Sequence, residues 1–339
     1  MIRRKEVTMQ DVAKKANVSV ATVSHVVNHT ASISVQTTHL IQQTIKELGY
    51  VPRESAQLNL GNRTIGVLVP DISNEFYATI IQGISDEAWK HNYAVMVSNL
   101  RHHHSARSAY LRSLMQNNIR GIIMCGGTAD DQSHIEKIQK KVPVVLCDRN
   151  LQGVNIDSVQ TDNTNIMRQL IKQLARYGYT RIGYISEDLI MSNSYDRYLG
   201  YRLGMEENKL SIDKNWVFLL PELRLSKSEK AYEMMLDILD KQHQLPQVLV
   251  CSSDLIAIGV MAALRSKGLK VPREIGIVGF DNISQAAFTT PPLTTVAQDI
   301  YRLGTRSFQL LMHRIEDPKR PSEEIILKAK IISRGSVKL

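Results

Sequence analysis

Val7-Thr-Met-Gln-Asp-Val-Ala-Lys-Lys-Ala-Asn-Val-Ser-Val-Ala-Thr-Val-Ser-His-Val-Val-Asn28 decides how the beginning of this chain folds. Thr8 is a good N-cap, and Asp11 stands three positions later, the spacing of a capping box. Val12, Ala13 and Ala16 then share one helical face. Asn17 tolerates a left-handed backbone and can end that helix. Ser19 caps a second short helix, Val20 to Asn28, with Val23, Val26 and Val27 inward. Ser34 caps a third, in which Leu40, Ile41, Ile45 and Leu48 recur at helical spacing until Gly49 stops it. Two short helices joined by a tight turn and braced by a third make a helix-turn-helix.

In that motif the second helix enters the major groove of DNA, and its exposed N-terminal residues meet base edges. Here those residues are Val20, Ala21 and His25. Thr22, Ser24 and Asn28 reach toward phosphates, as do Ser34 and Thr37 at the third helix. The caps Thr8 and Ser19 complete the candidate contact set. Charge points the same way. The chain carries +9 formally, and residues 1–63 hold eight Lys/Arg against four Asp/Glu. A local excess of +4 in under a fifth of the chain marks this end for a polyanion.

The whole chain has 339 residues, 43% of them hydrophobic and 6% aromatic. That suits a soluble protein of two or three domains with a sizeable core. No run of about 18 apolar residues is present, so no membrane helix is expected. No apolar stretch follows the basic Met1–Gln10, so no secretory leader is expected and the chain is placed in the cytoplasm. Cys125, Cys147 and Cys251 lie apart in apolar runs and read as small buried thiols.

After Arg63 short apolar runs alternate with longer amphipathic stretches. Strands are expected at 65–69, 94–98, 121–125, 144–147, 181–185, 248–251 and 276–280. Helices are expected at 77–91, 107–117, 166–177, 198–208, 228–241 and 255–266. Such alternation makes parallel sheets covered by helices, and about 275 residues suffice for two lobes. Ligands of open α/β sheets bind beyond the carboxyl ends of the strands. Polar and aromatic residues at those places are Ser73, Asn74, Phe76, Tyr77, Asp148, Arg149, Arg197, Ser253, Asp281 and Gln298. Hydroxyl-rich ligands need charged or amide partners and aromatic faces, and this set offers both. Each residue also has a plainer reading. Asp281 can serve backbone N–H groups of its own loop, Arg197 can pair with Asp196 or Glu187, and Asp254 can cap a helix.

Other signals are weak. Arg101-His-His-His104 reads as a solvated loop, because neighbouring residues rarely converge on one metal. Gly126-Gly127 follows a strand without the GxGxxG pattern of dinucleotide sites. No nucleophile beside a base, no metal set and no phosphate loop appears, so neither an enzyme nor a cofactor is expected.

Residues 7–28, together with Ile45-Lys-Glu-Leu-Gly-Tyr-Val-Pro52, closely resemble the headpiece of the LacI/GalR family of bacterial regulators. The rest resembles periplasmic ribose-type binding proteins, that family's structural relatives. The resemblance implies an N-terminal all-α helix-turn-helix headpiece plus an α/β two-lobed, periplasmic-binding-protein-like core. It implies a homodimer on a palindromic operator in double-stranded DNA, repression, and a small effector between the lobes. A sugar is the expected effector class. A purine, another non-sugar effector or control by a protein partner is the alternative. Asn74, Phe76 and Tyr77 match the family's first effector loop, Asp148-Arg149 the second, and Arg197, Asp281 and Gln298 complete the set.

Departures stand beside these matches. His25 replaces a usual Arg, Ser253 a usual Asn, and Glu75 a usual Pro. The hinge keeps Ala56 but puts Asn59, between Leu58 and Leu60, where the family wedges a leucine into the minor groove. The expected boundaries are a headpiece at 1–52, a hinge at 53–62 and a core at 63–339. Within the core, the N-lobe is expected at 63–162 plus 293–322 and the C-lobe at 163–292 plus 323–339.

Overall fold

The structure, a computed structural model, describes residues 7–28, 31, 33–50, 63–100, 107–126, 132–151, 153–241 and 244–339. The chain divides into two compact units, Met1–Gly61 and Asn62–Leu339.

The first unit contains α1 (Met9–Ala16), α2 (Val20–Asn28) and α3 (Val35–Leu48). The Asp11 N–H donates to the Thr8 hydroxyl, and the Asp11 carboxylate accepts the Thr8 N–H at 2.8 Å, closing the capping box. Asn17 ends α1 in the left-handed region at φ 51°. The Ser19 hydroxyl accepts the Thr22 N–H at 3.0 Å, and that of Ser34 accepts the Thr37 N–H at 3.2 Å. Val12, Ala13, Ala16, Val23, Val26, Ile41 and Tyr50 form the small core, with Val27 half-buried at its margin. Leu40 is exposed rather than inward. The buried stripe of α3 runs through Ile41, Thr44, Ile45 and Leu48, and Leu40 lies one residue off it. Thr44 turns inward because its hydroxyl donates to the Leu40 carbonyl at 2.8 Å.

The second unit is built on two six-stranded sheets. The first uses β1 (Thr64–Val69), β2 (Ala94–Asn99), β3 (Gly121–Cys125), β4 (Val144–Cys147), β5 (Asp157–Thr161) and, from far along the chain, Glu324–Leu327. The second uses β6 (Ile182–Ser186), β7 (Val217–Leu219), β8 (Val248–Cys251), β9 (Gly276–Asp281) and β10 (Thr294–Ala297). Numbering Glu324–Leu327 as β11, and adding β12 (Lys330–Ile332) to the second sheet, gives orders β11-β5-β4-β3-β1-β2 and β12-β10-β9-β8-β6-β7. The strands pair in parallel, apart from β12 antiparallel to β10.

Helices cover both sheets: α4 (Glu75–Lys90), α5 (Arg107–Gln116), α6 (Gln132–Gln139) and α11 (Ile300–Glu316) belong with the first. α7 (Asn163–Arg176), α8 (Ser192–Glu207), α9 (Lys227–Lys241) and α10 (Asp254–Ser266) belong with the second. α4 and α11 pack through two glycines. A Cβ on Gly83 would lie 2.3 Å from the Tyr301 carbonyl oxygen, and one on Gly304 2.2 Å from that of Ile80.

The lobe boundaries need correction near the C-terminus. Residues 294–297 were expected in the N-lobe but pair with β9 in the second sheet. Residues 324–327 were expected in the C-lobe but pair with β5 in the first. The chain therefore crosses between lobes after β5, after β10 and after β11, and short strands of three or four residues carry too little pattern to reveal such exchanges. Among the described residues no helix is long and apolar enough to cross a membrane.

Candidate functional site

The parallel strands aim their carboxyl ends at the seam between the lobes, where backbone geometry turns unusual. Asp148, directly after β4, sits in the left-handed region at φ 58°. Asp281 at the end of β9 has φ 116° and Asn282 φ 61°. Non-glycine residues hold such conformations only where the surroundings enforce them. At Asp281 and Asn282 the enforcing group is Asp254 at the start of α10. Its carboxylate accepts the Ile283 N–H at 2.9 Å and the Thr295 hydroxyl at 2.5 Å. Asp281 is thus relieved of serving its own loop, and its Oδ1 accepts from Gln298 Nε2 at 2.7 Å.

Polar side chains from both lobes meet here, nearly all buried. Asn193 Nδ2 donates to Asp148 Oδ2 at 2.7 Å, and the Asn150 N–H donates to the Ser192 hydroxyl at 3.0 Å. The Thr161 hydroxyl donates to Gln298 Oε1 at 2.6 Å. Arg197 donates through Nε to Asn163 Oδ1 at 2.8 Å and through Nη1 to the Ser252 carbonyl at 2.7 Å. Its ion pair is with Asp281 at 3.8 Å, not with Asp196 or Glu187, and its guanidinium lies 3.9 Å over the Phe280 ring. Glu187 takes Lys227 at 3.0 Å, the Ser194 hydroxyl at 2.8 Å and the Ser252 hydroxyl at 3.2 Å. Among the described residues, Asp148 Oδ1 and Arg197 Nη2 are buried atoms of this cluster with no hydrogen-bond partner.

Electrostatics follow from this burial. Loss of water pushes Asp148 up to about 6 and Asp281 to about 7, with Arg197 opposing both shifts. Burial likewise pushes Asp254 to about 8, aided by the charge of Asp281. Burial also acts on Glu187, but Lys227 and the Ser194 hydroxyl outweigh it and hold that carboxyl at about 2. The Tyr77 phenol is pushed well up by burial and by Asp148.

Asp148, Arg149, Arg197, Asp281 and Gln298 thus converge, with Tyr77 beside them. Arg149 is fully buried and donates to the Gly126 carbonyl at 2.6 Å. Phe76 does not present a stacking face. It belongs to the N-lobe core, edge-on to Tyr77 at 5.1 Å, because α4 begins two residues earlier than expected. Asn74 caps α4, accepting the Phe76 N–H at 3.0 Å, and the Ser73 hydroxyl donates to Asp71 at 2.7 Å. Ser253 caps α10, accepting the Ile256 N–H at 3.4 Å. Glu187, Asn193, Ser194 and Lys227 were missed. The last three lie in first helical turns that begin before the expected helix starts, and Glu187 follows a strand end as the others do.

In the first unit, Val20 and Ala21 are exposed, while Thr22, Ser24 and His25 are partly so. Asn28 is the last residue of α2. Ala56, Leu58, Asn59 and Leu60 of the hinge lie outside the described residues, as does Arg101–His104.

Residues 8–53 match the family described as "Bacterial regulatory proteins, lacI family", and residues 171–337 match "Periplasmic binding protein-like domain". The HTH-type transcriptional repressor PurR of Pasteurella multocida is 32% identical, over 98% of each chain. The chain belongs to the LacI family. This LacI-family regulator shares its fold with the Lac repressor bound to ONPG in the repressed state, at 24% identity and TM-score 0.81, covering 98% of this chain and 100% of that one. A LacI family transcriptional regulator from Enterococcus faecium with bound ribose is 27% identical, at TM-score 0.69 over 81% of this chain and 98% of that one.

Proposed function

We propose that this LacI-family chain is a homodimeric repressor whose operator affinity is set by a neutral, hydroxyl-rich small molecule of sugar type held between its lobes. The carrying observation is the pair of unpartnered atoms. Asp148 Oδ1 is an open acceptor and Arg197 Nη2 an open donor, both buried in one cluster. A hydroxyl both donates and accepts, so a molecule with several hydroxyls satisfies both atoms without bringing a charge. A charged ligand is less suited, because Arg197 already faces Asp281 and Lys227 already faces Glu187. A purine needs flat faces above and below it, and Phe76 is committed to the core. The related regulator from Enterococcus faecium holds ribose.

The headpiece acts in the cytoplasm on two operator half-sites related by the dimer's two-fold axis. Effector and operator are coupled through lobe closure by about 1–3 kcal/mol. Thermal unfolding of the full-length protein with sugars, polyols, sugar phosphates and purines tests this reading. A ligand at 100 times its dissociation constant adds about 2.7 kcal/mol. A neutral sugar or polyol is expected to respond. A response confined to purines overturns the effector class, and no response at all assigns control to a protein partner.

A further inference from the structure

We infer that Glu75 and Ser284 form a clasp across the rim of the cleft, a pair of positioning residues that holds the Asp281 loop against the opposite lobe. Glu75 is the first residue of α4 in the N-lobe, and Ser284 opens the short turn Ser284–Ala287 behind β9 in the C-lobe. Glu75 Oε1 accepts the Ser284 N–H at 2.7 Å, and Oε2 accepts the Ser284 hydroxyl at 2.6 Å. These are charge-assisted bonds, two from one carboxylate to one residue.

The local sequence leaves Glu75 available for this. A carboxylate in a first helical turn ordinarily serves the helix's own free N–H groups, but Asn74 already caps α4. The consecutive amides of Ile283 and Ser284 are consequently gripped by carboxylates from different lobes, Asp254 from their own and Glu75 from the other. Asp281, with its φ of 116°, lies just ahead of both. Opening the lobes releases the second grip and keeps the first. The clasp therefore makes the geometry of Asp281 depend on closure, and it draws the lobes together before any ligand arrives. Its consequence for affinity rests on the effector reading above, but the clasp itself can be measured without a ligand.

Hydrogen–deuterium exchange on the ligand-free full-length protein tests it, comparing wild type with Glu75→Ala, Glu75→Gln, Ser284→Ala and Ser284→Thr. Loss of a charge-assisted bond is expected to speed exchange of the 281–287 segment about tenfold in Glu75→Ala. Glu75→Gln, with one acceptor oxygen, and Ser284→Ala, with one donor, are expected to fall between. Ser284→Thr keeps both donors and is expected to match wild type. Unchanged exchange in the α7 segment, in the same compact unit but away from both residues, verifies folding. A Glu75→Ala effect confined to residues 75–79 reduces Glu75 to a local helix contact and overturns the clasp. An absent effect, or a Ser284→Thr variant as fast as Ser284→Ala, also overturns it. No ligand is present, so failure here is separate from failure of the sugar reading.

Discussion

Replacing Arg197 with Met removes a buried cation while retaining an unbranched chain able to rest on Phe280. Arg197 is 4% exposed, and its guanidinium donates to Asn163 and to the Ser252 carbonyl and faces Asp281 at 3.8 Å. Removing one partner of a buried ion pair costs about 3–5 kcal/mol, because the other charge stays behind. In the wild type Asp281 titrates at about 7 with Arg197 opposing the rise, so losing Arg197 pushes it higher, and at pH 8 the variant must either keep the charge unpaired or take up a proton. At pH 5.5 Asp281 is protonated, and only the bonds to Asn163 and Ser252 are lost, worth about 1–3 kcal/mol. The sign follows. Asp281 is raised above an ordinary carboxyl, so its own contribution to stability is fullest below about pH 4 and is lost as pH rises through 7. Without Arg197 that loss continues to higher pH. Thermal unfolding followed by circular dichroism is expected to show a midpoint lowered by roughly 6–10 °C at pH 8, and by about half as much at pH 5.5. Equal losses at both pH values, or none, would refute the argument that Arg197 acts by charge compensation.

Two further predictions follow from other parts of the molecule. Asp254→Asn keeps the shape of a group that burial holds at about 8, so the variant is expected to gain on wild type as pH rises from about 4 to 8 and to keep that lead above it; chemical denaturation at pH 5 and pH 9 decides, and a difference that does not grow in the variant's favour between them rejects the reading. His25→Ala is expected to change which operator sequences bind while leaving the core's thermal midpoint unaltered. Uniform weakening over a randomised DNA pool would remove His25 from base reading.

The headpiece was legible almost to the residue, because caps and helix stops are local chemistry: Thr8 with Asp11, Ser19, Ser34 and Gly49 each act within a few positions of themselves. Seven strands were equally plain, but β7, β10, β11 and β12, of three or four residues each, were not expected. Nor was β5, since Asp-Ser-Val-Gln-Thr has no strand-like hydrophobic pattern. Its polar side chains are buried against distant partners, with Asp157 on Arg314 at 2.7 Å, Gln160 on Glu324, and Thr161 on Gln298 at 2.6 Å. α11 shows helical spacing in Ile300, Leu303, Leu310 and Leu311, and was passed over rather than hidden. In the cleft, Asp148, Arg149, Asp281 and Gln298 at or just after strand ends were found, while Glu187 after β6 and Asn193, Ser194 and Lys227 in first helical turns were not. Phe76 shows the limit of position-based reasoning, because a shift of two residues at the start of α4 moves a ring from the cleft into the core.

The three crossings between lobes also govern the order in which the molecule can be made. β11 forms an edge of the first sheet, and α11 covers β3, β4 and β5, yet both come after the entire second lobe apart from β12. A ribosome synthesising this chain completes neither half until residues 324–332 have emerged. Until then the first sheet lacks a helix over its apolar face, including Ile123, Val145 and Val159. A premature stop anywhere before residue 300 therefore yields no smaller working core, only a sticky intermediate fit for chaperones or proteases.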